Sequence, residues 1–186
     1  ACWVGPDEAA RLAGVTDSKK LSDPMAIRLA EAIRTLCPHR VVVLMPEEYN
    51  ARYARLKNLN HLLAELHAEV IEDVLGQRTA PLIISDEFAK GGQEVRKRLG
   101  ERGRGATFRS VVRAEADLAV AAASVLARAA FLEGLREAGA AFGTSLPKGA
   151  TNVIGPGRSL VRTFGPTALP KVAKMHFKTS AQVLGP

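Results

Sequence analysis

Two short segments, about seventy residues apart, carry the side chains best suited to chemistry. The first is a polar turn, Thr16-Asp17-Ser18-Lys19-Lys20-Leu21-Ser22. Its hydroxyls, its two lysines and the backbone donors of a helix start can contact several phosphates at once. The same residues would also suit a solvated loop. The second is Leu82-Ile83-Ile84-Ser85-Asp86, a carboxylate at the end of an apolar strand. That position lies at a sheet's carboxyl edge, where α/β folds bind ligands. Carboxylate oxygens are good ligands for hard cations such as Mg²⁺ and Mn²⁺. The plainer reading of Asp86 is a turn or cap aspartate. Glu87 would point the opposite way if the strand continued.

A third group, Arg113-Ala114-Glu115-Ala116-Asp117, stands just before a helix that begins near Leu118. An acid in a helix first turn stabilises it by about 0.3–1 kcal/mol through the dipole, which accounts for one of the two. The functional reading sets one of them, Glu115 or Asp117, beside Asp86 to share a divalent ion. Ser124 reads as a packing residue, because no base is placed to activate it. Asp7 and Glu8, behind Pro6, read as the acidic first turn of a short helix. His39, His61, His67 and His176 show no metal-ligand spacing, and His67 reads as a hydrogen-bonded core histidine.

Composition narrows the partners. The 26 Lys and Arg against 19 Asp and Glu give +7, a balance that favours a polyanion and nucleic acid before membrane. At 186 residues the chain reads as one domain, residues 1–186, with a real core. Cys2 and Cys37 lack metal spacing and read as reduced core residues of a cytosolic protein. No apolar run is expected to reach the roughly 18 residues of a membrane span.

The elements that must position these residues alternate. A strand end at 1–4 precedes a short helix from Pro6, closed by Gly14. Ser22 or Asp23 caps a helix running to about Cys37, with Ile27, Ala30 and Ile33 on one face. Val41–Met45 is an apolar β-branched run that predicts a buried strand, ended by Pro46 and Glu47-Glu48. A long helix is expected from about Leu56 to Leu75, then a strand from Pro81, a short helix over 94–100, a turn at 103–105 and a strand over 108–112. An Ala-rich helix spans about 116–138. The Gly- and Pro-rich stretch from Gly143 to Pro166 shows little periodicity, and a last segment carries Lys171, Lys174, His176 and Lys178. The alternation argues for an α/β layer fold.

Taken in order, the segments resemble the type 2 ribonucleases H, and ribonuclease HIII in particular. The matching stretches are Val15-Thr16-Asp17-Ser18-Lys19-Lys20-Leu21-Ser22, then Tyr49-Asn50 with Asn58-Leu59-Asn60, then Ser85-Asp86-Glu87-Phe88-Ala89. They continue with the run from Ala119 to Arg128, Leu146-Pro147-Lys148-Gly149-Ala150, and Lys174-Met175-His176-Phe177-Lys178. The resemblance implies an RNase H-like fold, a mixed sheet flanked by helices. It implies endonucleolytic hydrolysis of the RNA strand of an RNA–DNA hybrid, with two divalent ions, Mg²⁺ or Mn²⁺.

Four carboxylates would hold the metals. Two belong to a Gly-x-Asp-Glu-x-Gly-x-Gly motif on the family's first strand, one is Asp86, and one is the acid ahead of the Ala-rich helix. Counted back from Ser124, Glu115 falls within one residue of that last position, with Asp117 the alternative. Ser18, Lys19, Lys20 and Lys148 would be substrate contacts. The glycine-rich motif does not occur in this sequence. It is expected a short way before Ala1, so the first strand is expected to be missing, together with the family's N-terminal substrate-binding domain. Gly5-Pro6-Asp7-Glu8 lacks the following glycines and does not replace it. The competing expectation is an inactive protein that still binds the hybrid. The remaining expectations are a cytoplasmic monomer with no membrane partner.

Overall fold

The structure, a computed structural model, describes residues 1–88, 92–149 and 151–185. Its elements run α1 (Pro6–Arg11), α2 (Asp23–Leu36), α3 (Pro46–Leu56), α4 (Leu59–Gln77), β1 (Leu82–Asp86), α5 (Gln93–Arg96), α6 (Glu101–Arg104) and β2 (Thr107–Val111). They continue with α7 (Leu118–Ala140), α8 (Ile154–Phe164) and α9 (Lys178–Leu184), and single 3₁₀ turns cover Ser18–Lys20, Ala114–Ala116 and Pro166–Lys171. Contacts group the chain into two units: Ala1–Val42 with Asn58–Ala130, and Val43–Lys57 with Phe131–Pro186.

Unit 1 holds two apolar clusters. In one, Ala30, Ile33 and Cys37 at the end of α2 meet Ala122, Val125, Leu126 and Ala129 of α7, with Leu12 closing the side. The alanines of α7 let backbones approach closely, which is why so apolar a helix packs without bulk. In the other, Ala64, Ala68, Ile71 and Leu75 of α4 cover Ile83 of β1, with Val95 and Leu99. β1 and β2 pair in parallel, Leu82 opposite Thr107 and Asp86 opposite Val111, so both carboxyl ends lie at one edge. Cys2 and Cys37 are free thiols of the first cluster. Burial, helped by the neighbouring Cys37, pushes the Cys2 thiol up to about 12, so it stays protonated and inert.

Helix ends follow the sequence signals. Ser22 Oγ accepts from Met25 N at 3.4 Å with Pro24 in the first turn of α2. Asn58 Oδ1 accepts from Asn60 N at 2.9 Å at the start of α4. Gly14 takes φ +83° after α1, a left-handed conformation that favours glycine.

Several expectations are corrected. Val41–Met45 forms no strand. Pairing stops at Arg40, whose N–H reaches Ala1 O at 3.0 Å beside the single Cys2–His39 bridge, and Val43 is 48% exposed. The run is extended because it is β-branched and ends before a proline, but among the described residues no strand pairs with it. Pro46-Glu47-Glu48 does not merely stop that run; it starts α3, with Pro in the first turn and two acids behind it. On α2, Ala26 faces the core and Ile27 is 37% exposed, one position round from the expected stripe.

Gly103 lies inside α6 and not in a turn. Its N–H donates to Glu72 Oε1 at 2.7 Å, and a Cβ there would sit 2.6 Å from that oxygen. The glycine is needed for close approach. In the tail of unit 2, α8 accommodates Pro156 because it falls in the first turn, where the missing N–H costs nothing. Gly157 packs close to Val183 of α9. Finally, α7 does have the length and apolar composition of a membrane span, with mean hydropathy 1.7 over its most apolar stretch. Its alanines score as apolar; those at 121, 122 and 129 are buried in the unit 1 core, and a third of the stretch is buried in all.

Candidate active site

Asp86 closes β1 on the strand face opposite the buried Ile83 and Ser85, with its side chain exposed. Its Oδ1 accepts from Ala114 N at 3.2 Å. That bond ties the carboxyl edge of the sheet to the 3₁₀ turn carrying Glu115. Arg113, at φ +57°, supplies the left-handed kink that turns the chain out of β2 and into this 3₁₀ segment. Among the described residues the Glu115 carboxylate takes no hydrogen bond or ion pair.

Asp117 is occupied differently. Its Oδ1 accepts from Ala119 N at 2.9 Å and Val120 N at 3.3 Å, so it caps the N-terminus of α7. One acid ahead of the helix thus serves the helix, and the other stands next to the strand edge.

The polar turn is held from behind. Asp17 Oδ1 accepts from Lys19 N at 3.0 Å and closes the 3₁₀ turn. Ser18 is 6% exposed, and its hydroxyl meets Ser124 Oγ at 2.6 Å. Its side chain therefore anchors the turn from the protein side, while Lys19 and Lys20 are exposed. Arg128 donates to Ser18 O, and its other nitrogen reaches Asp23 Oδ1 at 2.9 Å. Sequence reading did not single out Arg128. The signal was its spacing, four residues after Ser124 and so on the same helix face.

His67 is half-buried against β1, its Nδ1 3.5 Å from Ser85 Oγ and its ring 4.8 Å from Phe88. Burial chiefly, and the amino terminus of Ala1 next, hold its pKa below the ordinary value, against an opposing pull from Asp86. It packs beside the apolar stripe of α4, half-buried and within reach of Ser85.

Lys148 belongs to unit 2, where with Arg136, Thr144 and Ser145 it lines a pocket of about 510 Å³ that contains no acid. Asn50, of the Tyr49-Asn50 motif, is also in unit 2. Its Nδ2 donates to Pro170 O at 3.1 Å and Ala173 O at 2.9 Å, and its Oδ1 accepts from Met175 N at 2.9 Å. Ala89 and Ala150, the last residues of two motif segments, lie outside the described residues.

A lone aspartate at a strand end would be weak ground for kinship. Comparison with known proteins adds the decisive observation: the family model for ribonuclease HII matches residues 1–180. The chain belongs to the ribonuclease HII family. Within this family of enzymes it is 40% identical over 173 residues to the ribonuclease HIII of Protochlamydia amoebophila, covering 92% of this chain and 57% of that protein. It is 37% identical over 180 residues to the ribonuclease HIII of Chlamydia trachomatis, covering 96% and 60%. The chain thus spans little more than half the length of these relatives.

The fold agrees. A crystal structure of Bst-RNase HIII in complex with Mn²⁺ superposes with a TM-score of 0.87 at 31% identity, covering 98% of this chain and 62% of that one. Aquifex aeolicus RNase H3 gives 0.72 at 26% identity, covering 94% and 64%. The architecture is the RNase H-like α/β fold of ribonucleases HII and HIII, here helix-rich around a small sheet.

Proposed function

We propose that this chain is part of a ribonuclease H that cleaves the RNA strand of RNA–DNA hybrids, with Asp86 and Glu115 as metal ligands. The observation that supports it most is the bond from Ala114 N–H to the Asp86 carboxylate, which places the Glu115 turn next to the strand edge. The donor set suits a hard divalent ion, because both ligands are carboxylates. It is also incomplete for two ions, since no three acid, histidine or cysteine side chains converge among the described residues. A bound Mg²⁺ or Mn²⁺ supplies Lewis-acid activation of water and offsets charge developing on the phosphate.

The chain's own residues account for the rest of the reading. Lys19 and Lys20 are exposed on a fixed turn and meet phosphates. Lys148, in unit 2, is a further phosphate contact. Asp117 holds α7 by its cap and is the alternative ligand only if Glu115 fails.

The incomplete set of carboxylates favours a second reading, a protein that binds the hybrid and does not cut it. One experiment separates the two. A fluorescent RNA–DNA hybrid is titrated with the chain at low salt, and cleavage is followed with Mg²⁺ and with Mn²⁺. Salt-sensitive binding with metal-dependent cleavage that Asp86→Asn abolishes supports the enzyme. Binding without cleavage supports the second reading. Failure to bind the hybrid at low salt removes both.

A further inference from the structure

The segment Lys174-Met175-His176-Phe177-Lys178 has no role in the metal or phosphate reading, yet unit 2 builds it into a run of stacked rings. Tyr49 and Tyr53 of α3 lie 6.1 Å apart with planes 12° from parallel. Tyr53 stacks on His176 at 4.1 Å, and His176 lies on Phe177 at 4.0 Å. The Tyr49 hydroxyl is 3.4 Å from His176 Nδ1, and the three bonds of Asn50 fix the backbone that leads into this segment. Such support is more than a surface loop needs.

The run ends at Phe177. Among the described residues no ring lies beyond it, and the side chain is 47% exposed. Lysines flank it in sequence, and Glu47 and Glu137 share a pocket with Lys171. Lys171, Lys174 and Lys178 are exposed, and Lys174 Nζ sits 4.5 Å over the Tyr49 ring. From Ala138 to Pro186 the sequence holds six lysines and arginines and no aspartate or glutamate. An exposed ring at the end of a stack, with the exposed Lys174 and Lys178 on either side in sequence, matches the physics of single-strand nucleic-acid sites. There, bases stack on aromatic faces while lysines follow the backbone.

We propose that Phe177 is a stacking position for one unpaired nucleobase of a bound nucleic acid, with Lys174 and Lys178 on the phosphates that flank it. The proposal rests on the nucleic-acid reading above and deepens it. The substrate class becomes a hybrid with a single-stranded extension, and the duplex itself is not what this ring contacts.

The test compares two RNA–DNA hybrids with the same duplex, one blunt and one with a four-nucleotide overhang containing 2-aminopurine. The overhang should tighten binding about tenfold, the scale of one base–aromatic stack, and the 2-aminopurine fluorescence should be quenched. Phe177→Ala should erase the quench and the added affinity, leaving blunt-hybrid affinity within about twofold, while Phe177→Trp keeps both. Thermal unfolding of each variant checks that the fold is intact.

Equal affinity for the two hybrids, or a quench that survives Phe177→Ala, overturns the proposal. A dimer in sedimentation that Phe177→Ala dissociates also overturns it, by assigning the ring to contact with a second copy. Should the overhang be quenched by a chain that has no affinity for the blunt hybrid, the stacking position stands and the ribonuclease H reading falls. Blunt-hybrid binding with no quench has the opposite meaning.

Discussion

The hydroxyls of Ser18 and Ser124 lie 2.6 Å apart although 106 residues separate them in sequence. This bond joins the polar turn to the second turn of α7, and Ser18 is buried at the base of the turn that carries the two lysines. Removing one partner leaves the other unsatisfied, which costs about 1–3 kcal/mol, whereas removing both costs less than the sum. Urea unfolding of Ser18→Ala, Ser124→Ala and the double variant should show a coupling of about 1 kcal/mol. Strict additivity would mean the contact carries no energy.

The two acids ahead of α7 should separate cleanly. Asp117→Ala removes a helix cap and should cost about 1 kcal/mol of stability. Glu115→Gln should change stability by less than about 0.5 kcal/mol and yet weaken divalent-ion binding. Mn²⁺ titration followed by the free-ion magnetic resonance signal, beside thermal melts, reads both properties. If Asp117→Ala weakens Mn²⁺ binding in a folded protein and Glu115→Gln does not, the ligand assignment is reversed.

Lys19 and Lys20 project from a turn pinned at its base. Each phosphate neutralised by a lysine adds close to one unit to the slope of log affinity against log salt. Replacing both with alanine should flatten that slope by about two units for an RNA–DNA hybrid. An unchanged slope would make the turn a solvated loop.

His67 gives a pH dependence whose sign follows from its burial. Its native pKa lies below the ordinary value of 6.5, so the unfolded chain takes up the proton first. Stability is therefore full above that value. It falls as pH drops through it, by at most about 1.4 kcal/mol per pH unit, and stops falling once pH is below the native pKa. Melting temperature should fall between about pH 7.5 and 5.5. In His67→Asn that drop should shrink, and an equal drop would place the titration elsewhere.

How much of this was legible in the sequence varies with the range of the forces involved. Ser22, Asn58 and Pro24 announce helix starts because capping is local, and Asp86 is recognisable because a strand's apolar run ends on it. α3 was missed because Pro46 both stops an extended run and starts a helix, and only tertiary packing of Tyr49 decides between them. α8 is hidden by its Gly- and Pro-rich start, in which Gly157 serves close packing against Val183 and not a turn. The role of Arg128 depends on where a turn 110 residues earlier comes to rest. That Asp117 and not Glu115 caps α7 depends on which carboxylate faces the helix terminus, a matter of register within a few residues.

The three bonds of Asn50 bear on how the chain is made. Asn50 and Met175 are 125 residues apart, and the Asn50 bonds join α3 to the 170–175 segment. During synthesis at roughly 5–20 residues per second, α3 leaves the ribosome some 6–25 s before the residues that complete its surroundings. For that interval Tyr49 and Tyr53 have no His176 to stack on, and the helix is too short to be stable alone. Unit 2 thus closes last, and its aromatic side chains are the part of the nascent chain with the longest wait for cover.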